Sequence, residues 1–279
     1  MNALKTFAHL ALLTVLLVMA GDLLGGRQGM LLAFGFAAAM NAAAYWWSDR
    51  IVLRMYRARE VGPAEAPDLY RLTEELARKA GLPTPRLALI PSETPNAFAT
   101  GRNPAHAVVA VTTGLLRHLE PEEIRGVLAH ELAHIKHRDI LIASLAAVMA
   151  GAIGMLASMA RFALIFGGHR GREGGGNPFA MLIMLIVMPL AALLVQMAVS
   201  RSREYHADEA AARFVGSPRP LMRALKRLEA AAQRLPLEAN PATAHLFIVN
   251  PLRGGGVLSL FSTHPPVEKR IARLQALER

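Results

Sequence analysis

The chain has 279 residues, of which 53% are hydrophobic and 19% charged, with a mean hydropathy of +0.30. A soluble domain carries about 25% charged residues, so this composition excludes an ordinary soluble globular protein. Cysteine is absent, which rules out a disulfide framework and any cysteine-ligated metal site. The formal net charge is +10, but the basic residues are dispersed and no nucleic-acid-binding motif accompanies them. Attraction to anionic lipid headgroups accounts for that balance better than nucleic acid does.

In chain order, Thr6–Gly21 is a short apolar run that holds His9, and Gly25–Gly29 is a tight connection. Met30–Trp47 is 18 residues without a charge and ends in Tyr45-Trp46-Trp47, aromatic residues suited to a membrane interface. Residues 1–48 are therefore expected to form an N-terminal membrane hairpin of two helices. The alternative for the first run is a cleaved signal peptide, with Lys5 ahead of it and Val18-Met19-Ala20 near a cleavage point. Arg50, Arg54, Arg57 and Arg59 crowd the exit of the second run against a single Arg27 in the connection. The positive-inside rule places the stretch after Trp47 on the cytoplasmic face.

Residues 49–139 read as the first part of a soluble domain. Pro67–Ala80 is an amphipathic helix with Leu69, Leu72 and Leu76 on one side and Gly81 as its stop. Leu87–Ile90 and Ala107–Thr112 read as strands, separated by a polar loop, Pro91–Pro104, that holds Asn96-Ala97-Phe98. Glu120-Pro121-Glu122-Glu123 then opens a helix, with proline in its first turn and acids at the positive end of its dipole. Residues 140–200 contain two uncharged blocks, Ile140–Ala160 (21 residues) and Phe179–Ser200 (22 residues), expected to be a second membrane hairpin. Its connection, Gly167–Pro178, carries Arg170 and Arg172 against the positive-inside rule, which leaves open whether this hairpin spans fully. Residues 201–279 return to the soluble domain, with helices expected at Arg219–Arg234 and Pro265–Leu277. The glycine-rich stretches Gly171–Gly176 and Gly254–Gly256 read as loops without a phosphate-binding context.

The chemistry is concentrated in His130-Glu131-Leu132-Ala133-His134. Positions four apart share one helix face, so the two imidazoles can grip one Zn²⁺, and Glu131 can take a proton from water that the metal activates. A catalytic zinc needs a third protein ligand. Metzincins place Gly three and His six residues after the second histidine, whereas this chain has His137 and Ile140 there; that class is excluded, and His137 reads as a polar residue near the membrane surface. Glu204-Tyr205-His206-Ala207-Asp208 offers another solution. Glu204 and Asp208 share a helical face; the first can ligate metal, and the second can accept a hydrogen bond from a ligand imidazole. The alternative is an exposed, solvated charged helix. A membrane hairpin between His134 and Glu204 would return the chain to the side it left, which favours the first reading.

Together with Ser262-Thr263-His264-Pro265-Pro266 and Asn96-Ala97-Phe98, these motifs make the chain resemble, over nearly its whole length, the HtpX family of membrane zinc metallopeptidases, relatives of the CAAX prenyl proteases. The resemblance implies a mainly α integral membrane protein with four membrane helices and a small α+β zincin-like (gluzincin) protease domain. It implies one Zn²⁺ per subunit held by His130, His134 and Glu204, Glu131 as general base, and Asp208 behind the ligands. His264 and Arg270 would meet the charge of the tetrahedral intermediate, and Asn96, Ala97 and Phe98 would lie on an edge strand that pairs with substrate. It further implies polypeptide substrates, among them membrane and misfolded proteins, and a multi-pass place in the bacterial cytoplasmic membrane with the catalytic domain inside. Two rivals remain: a prenyl-peptide processing protease, disfavoured because four short segments cannot enclose a chamber, and a membrane scaffold whose zinc site is not catalytic, disfavoured because Glu131 is present.

Overall fold

The computed structural model describes residues 2–149, 201–234, 246–249 and 265–278. Segment 150–160, Phe179–Ser200, both glycine-rich stretches and His264 lie outside the described residues.

Helix α1 (Asn2–Met55) carries Gly26 at φ +55°. The Asn41 side-chain amide donates to the Leu10 carbonyl (3.3 Å) and to Thr14 Oγ1 (2.9 Å). Thirty-one positions of straight helix span roughly 46 Å, so these bonds require α1 to double back at Gly26, a reversal that a residue without Cβ makes at little cost. Among the described residues, Gly26–Met55 is the one helix long and apolar enough to cross a membrane, and Leu31, Leu32, Phe34, Phe36, Trp46 and Trp47 point outward from it. Of the four membrane helices expected from hydropathy, one is a clear candidate span among the described residues, and most of the second hairpin lies outside them. Ser48-Asp49-Arg50 ends the apolar run but not the helix, and Val52 and Leu53 are buried against Ala88, Ile90, Phe98, Val108 and Ala110. Hydropathy registers where a bilayer would end; it does not register a helix continuing into a protein core.

A four-stranded sheet comes next: β1 (Arg59–Val61), β2 (Arg86–Ile90), β3 (Ala97–Thr100) and β4 (Val108–Thr112), in spatial order β1-β2-β4-β3. β2 and β4 run parallel, while β1–β2 and β3–β4 are antiparallel, with Ala97 opposite Val111 and Ala99 opposite Val109. Every residue of β3 and β4 is buried. Leu87, Ala97, Ala99, Val109 and Val111 face the main helical core, and Ala88, Phe98, Val108 and Ala110 face the end of α1 together with Ala147. A sheet covered on both faces shows a continuous apolar run and no alternation. This is why residues 97–100, which the residue pattern reads as polar loop and the family resemblance as an edge strand, form a buried strand.

Helix α2 (Pro67–Ala80) ends on Gly81 in the left-handed region, whose amide caps the last turn. A short helix α3 (Thr113–His118) starts at the Thr112 hydroxyl, which accepts from the Leu115 amide. Helix α4 (Pro121–Lys136) opens with a capping box in which Glu120 and Glu123 reciprocally satisfy backbone amides, and Pro121 occupies the first turn. Arg138, in the left-handed region at φ +59°, turns the chain into α5 (Ile140–Met149), whose first turn closes on the Asp139 carbonyl. After the undescribed segment come α6 (Arg201–Val215), α7 (Arg219–Arg234) and α8 (Val267–Ala276). α4 is the central helix and packs on α2, α6, α7 and β3. Its contact with α7 is backbone to backbone: a Cβ on Gly126 would stand 2.5 Å from the Leu221 nitrogen.

Candidate metal centre

His130 and His134 occupy successive turns in the middle of α4, and Glu204 lies in the first turn of α6. Packing of α6 on α4 brings the three together. The two Nε2 atoms are 3.1 Å apart, His130 Nε2 is 3.6 Å from Glu204 Oε2, and His134 Nε2 is 3.5 Å from Glu204 Oε1. Tetrahedral coordination with bonds of roughly 2.0–2.1 Å separates its donor atoms by about 3.3 Å. The three donors therefore fit a single metal ion.

Two carboxylates decide which ring nitrogens converge. His130 Nδ1 lies 3.0 Å from Asp208 Oδ1, and His134 Nδ1 lies 3.2 Å from Asp139 Oδ2. With each Nδ1–H donated outward, both Nε2 lone pairs turn toward Glu204, the arrangement that fixes tautomer and raises ligand basicity. Asp208 is the residue expected in this position. Asp139 is missed by motif and spacing alike; its signal in the sequence is a carboxylate five residues after the second histidine, at the joint between α4 and α5. Arg203 Nη1, 3.7 Å away, balances it. His137, one residue past α4, has its pKa lowered by partial desolvation, which outweighs the upward pull of the Asp139 carboxylate.

Arg270 is 0% exposed and forks onto Asp208, with Nε donating to Oδ2 at 2.8 Å and Nη2 to Oδ1 at 2.7 Å; its Nη1 donates to the Ile248 carbonyl at 2.7 Å. The same Nη1 lies 3.9 Å from Glu204 Oε2. Its donors are thus turned to Asp208, to residues 246–249 and to the His130 ring, both of whose nitrogens lie 3.5 Å from Nη2. Burial alone would raise the Asp208 carboxyl, but the Arg270 guanidinium outweighs it and holds Asp208 below the usual range. For His130, burial pulls downward, and the Asp208 and Glu204 carboxylates overcome it, lifting the imidazole to about 9. Glu131 is buried beside the imidazoles; burial pushes its carboxyl up, partly opposed by the histidines and by a hydrogen bond from the Ala99 amide of β3.

Asn96, Ala97 and Phe98 are buried, so their side chains are not displayed to a ligand. Asn96 Oδ1 accepts from the Ile248 amide at 3.2 Å, and the Phe98 ring packs on Tyr56 with centroids 5.1 Å apart. β3 is the last strand of the sheet among the described residues, and its Ala99 amide reaches Glu131.

The buried cluster also has a charge deficit. Glu131, Asp139, Glu204 and Asp208 are opposed by Arg203 and Arg270.

Two helical histidines, a glutamate from a second helix and a buried carboxylate between the histidines define the site class of metal-dependent hydrolases. Residues 63–278 match Peptidase family M48; the chain belongs to this family and is a metalloprotease. It is 55% identical over 276 residues to a "Protease HtpX homolog" of Desulforapulum autotrophicum, covering 98% of this chain and 89% of the relative. A protein of the same description from Aquifex aeolicus is 55% identical over 269 residues, covering 95% and 89%. Among solved structures, that of S. mikatae Ste24p is similar with a TM-score of 0.50 and 19% identity, over 94% of this chain and 61% of that one. At that identity the likeness carries the fold and not the substrate.

Proposed function

We propose that this protein is a zinc-dependent, membrane-bound endopeptidase that hydrolyses peptide bonds of membrane or misfolded proteins, with His130, His134 and Glu204 holding one Zn²⁺ and Glu131 as general base. The observation that carries this reading is the convergence of both Nε2 atoms and a Glu204 carboxylate oxygen, with Glu131 on the same helix. Imidazole donors favour zinc over calcium or magnesium, which prefer all-oxygen sites. Zinc at this position supplies Lewis acidity, lowering the pKa of a water to roughly 7 and polarising the scissile carbonyl.

The remaining work falls to the protein's own groups. Glu131 takes the proton of the attacking water and hands it to the departing amine; its upward-shifted carboxyl is moved toward the range in which one group performs both transfers. Asp208 and Asp139 keep the imidazoles in their ligand tautomer. Arg270, with its donors committed to Asp208 and Ile248, is read as a positioning residue and not as the support for the tetrahedral intermediate that the family resemblance suggested. An extended substrate adding to the outer edge of β3 would lie across Glu131, gripped through main-chain hydrogen bonds that tolerate many sequences. That suits broad action on damaged proteins. The arginines after Trp47 support a cytoplasmic catalytic domain, and the apolar blocks ahead of His130 and between His134 and Glu204 support a multi-pass bacterial membrane protein. Glu204→Ala should lower the metal content of the purified protein from one zinc per chain to below about a tenth of that, measured by elemental analysis; undiminished zinc would place the third ligand elsewhere.

A further inference from the structure

From the pocket at the exit of α1, we infer a binding site for the phosphate headgroup of an anionic phospholipid. The inference rests on the reading of α1 as membrane-spanning. The pocket holds about 250 Å³ and is lined by Trp46, Trp47, Arg50, Arg86, Arg102 and His106, with Asp49 at its wall. Trp46 and Trp47 are 55% and 51% exposed, and they end the apolar run at the level where indoles settle among headgroups. Arg50 follows Trp46 by four positions and Trp47 by three, so its guanidinium shares their face.

The protease domain supplies the other wall. Gly101 adopts φ +135°, and a Cβ there would stand 2.4 Å from the His106 carbonyl oxygen, so the β3–β4 connection is folded tightly on itself. The Asn103 side chain accepts from the His106 amide at 3.1 Å and from the ring Nδ1 at 2.7 Å, leaving Nε2 to accept from Arg102 Nη2 at 2.8 Å. Arg102 Nη1 reaches the Trp46 carbonyl at 3.4 Å. Arg102 is thereby fixed over the end of the membrane helix by neutral partners alone. Arg86 is committed to Asp49 (2.5 Å) and Glu60 (2.6 Å). Among the described residues, Arg50 and Arg102 have no carboxylate partner, and with Asp49 counted the lining carries a formal +2. Two guanidiniums beside paired indoles offer a phosphodiester its counter-charge and its glycerol an apolar ledge.

The test uses the full-length protein in nanodiscs of phosphatidylcholine with a minor share of phosphatidylglycerol, with retained lipid read by native mass spectrometry. Wild type is expected to retain phosphatidylglycerol selectively, and Arg50→Gln with Arg102→Gln to lower that retention by about 5-fold per arginine. Arg223→Gln with Lys226→Gln removes the same charge from α7 and should leave retention unchanged. Equal loss in this control pair would reduce the effect to net charge and overturn the site. Displacement of the lipid by millimolar inorganic phosphate would make the ligand a free anion and overturn the assignment to lipid. A protein that enters nanodiscs but shows no preference refutes this inference alone; one that enters none refutes the membrane reading beneath it as well.

Discussion

Replacing Arg270 by methionine tests how the metal centre is held. The substitution keeps most of the buried volume and removes the cation that Asp208 faces, both residues being almost completely buried. Two parallel bonds of 2.8 and 2.7 Å are lost at once, and the Ile248 carbonyl loses its donor. Breaking such a pair from one side leaves the other charge stranded and costs roughly 3–5 kcal/mol, with about 1 kcal/mol more for the unsatisfied carbonyl. For a folded unit of about 200 residues, each kcal/mol corresponds to about 2–4 °C in Tm. R270M should therefore melt about 8–24 °C below wild type, followed by circular dichroism at 222 nm in detergent at saturating zinc. Adding Asp208→Asn removes the stranded charge, so the double variant should recover part of the loss, with a coupling of about 2 kcal/mol in the cycle. A Tm for R270M within 2 °C of wild type, or a double variant no more stable than R270M, would refute the clamp.

Three further outcomes are expected from the same geometry. Asp139→Asn should leave the fold intact and weaken zinc retention about 10–100-fold, seen as faster loss to a graded chelator challenge; unchanged retention would remove Asp139 from the site. Gly126→Val should cost about 1–3 kcal/mol through overpacking against the Leu221 backbone, lowering Tm without altering zinc stoichiometry in the protein that folds; a wild-type Tm would deny the close approach of α4 and α7. Hydrogen bonds from Arg125 and then Lys79 hold the Glu75 carboxyl at about 2, below the unfolded value. Its stabilising contribution is therefore complete above about pH 4.5 and lost as pH falls toward 2. The Tm gap between wild type and Glu75→Gln should be present at pH 7 and close across that window; a gap that persists at pH 2 would contradict the pairing.

The centre was legible where a helix alone sets the geometry. His130 and His134 need only the four-residue spacing, and Glu204 and Asp208 need one more helix and the expectation that the chain returns. Asp139 was hidden because its place depends on Arg138 entering the left-handed region, a conformation that nothing in the residue type announces. The amphipathic helix at Pro67–Ala80 was readable from its solvated face and its glycine stop. β3 was readable only through the family resemblance, since burial on both faces erases alternation and the flanking prolines and asparagines read as loop. β1, at three residues, is shorter than any periodicity can reveal. The continuation of α1 to Met55 was invisible for a related reason: Val52 and Leu53 are apolar toward a sheet that only the tertiary fold supplies.

If Glu131 moves the proton while His130, His134 and Glu204 hold the metal, removing the carboxylate should separate catalysis from zinc binding. Purified wild type and Glu131→Gln should therefore be compared for zinc content and for cleavage of an unfolded protein such as casein, with chelator controls. Equal zinc is expected in both, with a rate at least about 100-fold lower in the variant. A Glu131→Gln protein that holds zinc and cleaves at the wild-type rate would contradict this division of labour.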